Sequence, residues 1–223
     1  MGEKIKELNP LGYKPVGKLL KSLAIPAIIA NLVNALYNVV DQIFIGQGIG
    51  YLGNAATNIA FPITTMCLAI GLTLGIGGAS NFNLELGKGY PEKSKHTAGT
   101  AASTLIIIGI ILCIVVRIFL EPLMIGFGAT DKILEYSMEY TGITSYGIPF
   151  LLFSIGVNPL VRADGNAKYS MLAIVTGAIL NTILDPLFMF VYNWGIAGAA
   201  WATVISQIVS ALLLFIYFSR FKS

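Results

Sequence analysis

Six apolar runs, each long enough to cross a bilayer, divide this chain at approximately 18–45, 54–82, 96–120, 132–160, 168–191 and 197–219. In hydrocarbon every backbone N–H and C=O must find its partner inside the chain, so runs of about 20 apolar residues fold as helices. The expected fold is therefore all-α and integral to a membrane, with six transmembrane helices. Composition agrees, because 56% hydrophobic against 11% charged residues is too apolar for a soluble domain of 223 residues. The first 17 residues are polar and carry Lys4, Lys6 and Lys14. The run after them is too long for a signal-peptide core and lacks a cleavage motif, which makes it a retained first span. The expected organisation is a cytoplasmic segment at 1–17, a six-helix lobe at 18–219 and a cytoplasmic tail at 220–223.

Charge lies between the runs. Of the 14 Lys and Arg residues, all but two fall in the segment up to Lys21, the loops at 88–95 and 162–168, and the tail. The alternate loops hold only Arg117 and Lys132. Short loops rich in Lys and Arg stay cytoplasmic, so both termini are expected on the inner side of the cell membrane, as an even number of spans also requires. The net charge of +3 is not gathered into a stripe, and no nucleic-acid partner is expected. Cys67 and Cys113 fall inside apolar runs, where a thiol packs as a small hydrophobe. His96 follows Lys93 and Lys95 in a loop and reads as a solvated residue. No residue set suggests an enzyme or a resident cofactor.

Two aspartates break the apolar pattern: Asp41 in YNVVDQIFIG and Asp185 in ILNTILDPLFMF. A carboxylate at membrane depth costs a few kcal/mol even on mild insertion scales, so such residues face a bundle interior or aqueous cavity and carry function. At about 1.5 Å per residue, both lie roughly 8 Å below the outer ends of outward-running spans. Tyr140 and Thr203, on inward-running spans, lie roughly 9 to 12 Å below theirs. Asn181 is one turn from Asp185 on the same face. Five polar groups on four helices thus share one level. In the first span Asn34, Tyr37, Asn38 and Asp41 recur at i, i+3, i+4 and i+7, giving an apolar helix one polar face that is expected to line a cavity. Interhelical hydrogen bonding by the asparagines is the simpler alternative.

Pro26, Pro62, Pro149, Pro159 and Pro186 punctuate the spans. Each removes a backbone donor and can bend its helix. Pro186, directly after Asp185, would free the carbonyl of Thr182 beside the Asn181/Asp185 face. Gly71, Gly75, Gly77 and Gly78 have no strand before them and are expected to serve close helix packing rather than a nucleotide loop.

LGKGYPEKS after the second span, RADGNAKYSM, NTILDPLFMF and GIAGAAWATVISQ resemble, in order and spacing, the N-terminal half of the multidrug and toxic compound extrusion family of the MOP superfamily, in its damage-inducible-type branch. The resemblance covers all six spans. It implies one lobe of a two-lobed secondary transporter that exports cationic and amphipathic compounds by alternating access, driven by protons or sodium. On matching positions it implies an ion site at Asp41, Asn181, Asp185 and Thr203 with Tyr140 in its hydrogen-bond network. It also implies a substrate wall of Asn34, Tyr37, Asn38 and Asn158, and Pro26 as a bend.

The family's chains have twelve spans and this one has six, so the expected partner is a second lobe from the same gene or another chain, including a second copy, with membrane lipid and an organic cation as the other partners. Mechanistically, a buried carboxylate pair suits a shared proton. The all-oxygen set of Asp41, Asn181, Asp185 and Thr203 suits sodium equally. Either would compete with a cationic compound for one negative field. Two alternatives stand beside this reading. A lipid-linked oligosaccharide flippase would need a cationic cavity, and no Lys or Arg lies in the middle of a span. A half-transporter that serves only as a packing module is the other.

Overall fold

The computed structural model describes residues 15–219. Most of the expected N-terminal segment 1–17, and the tail 220–223, lie outside the described residues. Among the described residues eight α-helices follow one another: α1 (Val16–Gly48), α2 (Tyr51–Gly87), α3 (Pro91–Ile118), α4 (Leu120–Gly126), α5 (Asp131–Thr144), α6 (Ile148–Ala163), α7 (Ala167–Pro186) and α8 (Gly195–Ser219). Six segments are long and apolar enough to cross a membrane: α1, α2, α3, the α5–α6 pair, α7 with the turn after it, and α8. The described residues form an all-α, six-span membrane fold.

Two spans are interrupted where proline forbids regular helix. The fourth, expected as one rod, passes through a 3₁₀ turn at Ser145–Gly147 into α6, whose first turn holds Pro149. Pro149 has no N–H to continue an α ladder back to Ser145, and it fits the first turn of a new helix, where that donor is not needed. The fifth span widens after Pro186 into a π turn, Leu187–Val191, closed by Tyr192 N–H donating to Leu187 O at 3.0 Å. The proline cannot supply its own N–H, and the ladder resumes with a longer reach. Through Pro26, by contrast, α1 runs on unbroken.

Packing divides the helices. α2, α3 and α6 bind one another closely, while α7 packs on α1 and α8, and α8 joins the two groups through α5 and α6. Glycine makes the first group tight. A Cβ on Gly75 would collide with the backbone of Gly156, and one on Gly109 would come within 2.7 Å of Pro149 Cα. Gly71 meets Ile155 and Gly78 meets Ala101, as expected, but Gly77 faces open space. It points away from the α2–α6 seam, so the run of four glycines contributes three to packing.

The Lys and Arg clusters lie at one end of the bundle, called here the basic end, on helix ends rather than in loops. Lys88 follows α2, Lys93, Lys95 and His96, expected in a loop, belong to the first turns of α3, and Lys168 to the first turn of α7. Asn166 caps α7 there by accepting from Tyr169 N–H at 3.2 Å, and Gly165 takes a φ of 87° that only glycine adopts without strain. Arg117, counted in the sequence as a loop residue, belongs to the last turn of α3. It donates to Gly142 O at 3.0 Å and covers the ring of Tyr146 at 4.1 Å.

Candidate functional site

Asp41 on α1 and Asp185 on α7 come together because those two helices pack along their length. Both carboxyls are buried, at 7% and 0% exposure, and lie within hydrogen-bonding reach of each other. Asn181, one turn before Asp185, donates through Nδ2 to Asp185 Oδ1 at 3.1 Å and reaches Thr203 Oγ1 on α8 at 3.4 Å. Tyr140 on α5 meets Thr203 and packs against the small apolar cluster of Ile45, Met189 and Ala199. The five groups expected at one level on four helices form one cluster.

The cluster is rich in acceptors and poor in donors. Asp41 Oδ1, Asp185 Oδ2 and Asn181 Oδ1 are buried without a hydrogen-bond partner. A buried acceptor left unpaired costs about 1 to 3 kcal/mol, so three together make a place where a cation or a proton is stabilised. Among the described residues no group of three or more His, Cys, Asp or Glu gathers. A cation here would take two carboxylates plus neutral oxygens, a set suited to a hard monovalent ion.

Sequence reasoning overlooked a second layer. Gln42, next to Asp41, donates to Asp41 Oδ2 at 3.4 Å and accepts from Thr57 Oγ1 of α2 at 3.2 Å. Both are polar residues inside apolar spans, a signal available beforehand. Gln42 lies at the edge of the stripe of Asn34, Tyr37, Asn38 and Asp41, one turn past Asn38, and Thr57 stands on another helix.

Beside the cluster lies a cavity of about 220 Å³ walled by α1, α2, α6, α7 and α8. Asn34, Tyr37 and Asn158 line it, together with Asn181 and Thr203. Asp41 and Asp185 do not. They sit behind Tyr37, Asn181 and Thr203, which belong to cluster and cavity alike. Asn158, on α6, is buried and accepts from Ser170 of α7, tying the two helices together near the basic end.

Asn38 departs from the expectation. It lies beyond Tyr37, where the cavity ends, and its Nδ2 folds back to Asn34 O at 2.7 Å. Its surroundings are a separate groove between α1 and α2, shared with Gln42 and Asn54. The i, i+4 spacing placed it on the right face but not at the right height.

Arg162 departs too. Assigned from the sequence to a cytoplasmic loop, it occupies the last turn of α6 and lines the cavity at the basic end, one turn past Asn158. Just beyond it Asp164 Oδ2 accepts from the hydroxyl of Tyr217 at 2.7 Å, and the Tyr217 ring packs on Tyr169 with centroids 4.8 Å apart. Burial raises the Asp164 carboxyl above the usual carboxylate range.

Comparison with known proteins places this architecture. A family model described as MatE matches residues 26–187. The multidrug export protein MepA of Staphylococcus haemolyticus is 27% identical over 207 residues, 91% of this chain and 45% of its own length. A solved outward-facing conformation of a multidrug resistance MATE family transporter of the MOP superfamily is 29% identical with a TM-score of 0.82, across 97% of this chain and 46% of that one. A MOP superfamily transporter from Pyrococcus furiosus, described as having a binding pocket of reverse polarity that suggests a different function, is 31% identical with a TM-score of 0.82, across 90% of this chain and 44% of that one. The chain spans about half the length of the curated relatives it matches.

Proposed function

The chain belongs to the MatE family, and from that premise we propose that it supplies the N-terminal lobe of a cation-coupled exporter of cationic and amphipathic compounds. The observation that carries the reading is the set of three unpaired buried acceptors, Asp41 Oδ1, Asp185 Oδ2 and Asn181 Oδ1, behind a cavity wall they share through Asn181. A proton or sodium ion is the coupling substrate. When it enters, the repulsion between the carboxylates falls, the Asn181–Thr203 contacts reorganise, and the wall at Tyr37 changes its preference for a cationic compound. Ion and compound then oppose each other through one electrostatic field, the reciprocal coupling that antiport requires.

In this reading the basic end faces the cytoplasm, both termini lie there, and the protein sits in the cytoplasmic membrane. A second six-helix lobe completes the transport path, from the same reading frame, another chain or another copy. α1 offers a flank for it: Ile28, Leu32, Leu36 and Val39 are exposed apolar residues on a helix that leans mainly on α7. Pro26 in α1 is the bend point of the cycle.

A flippase for pyrophosphate-linked lipid would call for a cationic wall, and along this cavity a single guanidinium, Arg162, stands at one end. The cluster of acidic acceptors favours cation export instead. A packing module without transport is separated by reconstitution. Assembled with its second lobe in proteoliposomes, the wild type exports an organic cation under an imposed proton or sodium gradient, and Asp41→Asn keeps its assembly but loses gradient-driven flux. Full resistance in cells carrying Asp41→Asn would sink the assignment.

A further inference from the structure

The two ends of the cavity are built from opposite chemistry. Behind one end, screened by Tyr37, Asn181 and Thr203, lies the carboxylate cluster with more acceptors than donors. Toward the other, α6 presents Ser154, Asn158 and Arg162 at i, i+4 and i+8, a polar stripe that ends in a guanidinium. Ser154 Oγ is buried without a partner. No hydrogen bond or ion pair holds Arg162 among the described residues, where the ion pairs are Lys88–Glu85 and Lys95–Glu92. The nearest acid in sequence, Asp164, directs Oδ2 to Tyr217 instead.

Depth separates the ends. Asn158 on α6 bonds Ser170 on α7, which fixes the relative height of the two helices. From Ser170 to Asp185 the chain rises 15 residues of helix, about 22 Å. Arg162 lies one turn beyond Asn158 in the other direction, and its side chain leans back along the helix toward the cavity. Its guanidinium and the carboxylate pair are therefore some 20 Å apart, too far to serve as each other's counter-ion in a wet cavity. Between them the wall includes Leu68, Leu72, Leu151, Ile155 and Ile174.

An unpaired guanidinium beside a polar cavity, with an apolar wall leading away from it, matches one kind of occupant. Arg presents a planar fork that binds carboxylate and phosphate with two parallel hydrogen bonds, which Lys cannot reproduce. We propose that Arg162, with Asn158 and Ser154, forms an anion subsite that holds the phosphate or carboxylate head of an amphiphile whose tail lies along the apolar wall. The inference takes this cavity as the substrate cavity of the transport reading and adds a second ligand class to it. Two sources share the chemistry, a membrane phospholipid entering from the leaflet at the basic end and an acidic amphiphile from solution.

Calorimetric titration of the purified chain in maltoside micelles tests the subsite without relying on flux. The probes are dodecyl phosphate, laurate and dodecyltrimethylammonium, against wild type, Arg162→Gln and Arg162→Lys. The expected result is at least tenfold weaker binding of dodecyl phosphate and laurate to Arg162→Gln, partial recovery in Arg162→Lys, and unchanged binding of dodecyltrimethylammonium, which shows the cavity intact. Equal affinity of wild type and Arg162→Gln for dodecyl phosphate overturns the proposal. So does parallel loss of all three probes, which would make Arg162 a packing residue. If dodecyl phosphate behaves as expected while the ammonium probe binds neither wild type nor variant, the cation-export reading fails and the anion subsite stands. Native mass spectrometry identifies the source: phospholipid retained by wild type and lost in Arg162→Gln assigns the lipid headgroup, and lipid-free wild type that binds the probes assigns the acidic amphiphile.

Discussion

α6 and α1 belong to the same lobe and are held in it by different means. α6 buries 10 of its 16 residues and touches α2 backbone to backbone through Gly156 and Gly75, whereas α1 buries four of its 33 residues, one of them Asp41. Close glycine seams leave nothing to rearrange. A helix attached through a proline, an alanine, an isoleucine and a buried carboxylate can change partners when the charge on that carboxylate changes. The contrast teaches that the lobe is a frame, α2–α3–α6, with a working side whose attachment includes the proposed ion site itself.

The largest effect should come from breaking the frame. Gly75→Val forces a branched side chain into the Gly156 backbone, which has nowhere to move, and overpacking costs about 1 to 3 kcal/mol, more where the obstacle is backbone. The variant should fail to give a monodisperse species on size exclusion, while Gly77→Val, facing open space, should behave as wild type. A stable Gly75→Val would erase the distinction between frame and working side.

On the working side, Asp185→Asn should leave thermal stability near wild type and lower gradient-driven efflux on the order of a hundredfold, about 2.7 kcal/mol of coupling. Thr203→Ala removes one partner of Asn181 and Tyr140 and should lower the same flux about fivefold, the worth of a hydrogen bond near 1 kcal/mol. If both variants unfolded the protein, the cluster would be part of the frame instead.

The smallest effect belongs to the contact at the basic end. Asp164, raised by burial, binds its proton more tightly in the folded chain than in the unfolded one. Stability from this group therefore falls as pH rises from the ordinary carboxylate range through its folded titration. Asp164→Asn keeps an acceptor for Tyr217 and should flatten that part of a Tm-against-pH curve, and Tyr217→Phe should cost no more than about 1 kcal/mol. An unchanged slope in Asp164→Asn would remove Asp164 from the account.

Much of this was legible in the residues. Span number followed from backbone hydrogen bonding in hydrocarbon, and the shared level of Asp41, Tyr140, Asn181, Asp185 and Thr203 followed from helix rise and span direction, whereas their gathering needed the packing of α1, α5, α7 and α8. What helical spacing could not convey was height and company. Asn38 shares a face with Asn34 but lies past the ring that ends the cavity. Gln42, beside Asp41 on α1, is met by Thr57 from α2, a neighbour that no one-dimensional stripe reveals. Arg162 was counted among loop charges because composition alone marks helix ends poorly, and α6 extends to Ala163. The 3₁₀ turn before Pro149 was signalled by the proline, yet whether a proline bends, breaks or merely rides in a helix depends on its neighbours, as continuous Pro26 and interrupted Pro149 demonstrate.

The central claim is that Asp41 and Asp185 transmit cation occupancy to the cavity through Tyr37, Asn181 and Thr203. Equilibrium binding of a fluorescent organic cation to the purified chain, measured while proton or sodium concentration is raised, tests it directly. The account predicts that the coupling ion displaces the probe from wild type at least tenfold, and that the probe still binds the Asp41→Asn/Asp185→Asn variant but no longer responds to the ion. Ion sensitivity that survives unchanged in the double variant would contradict it.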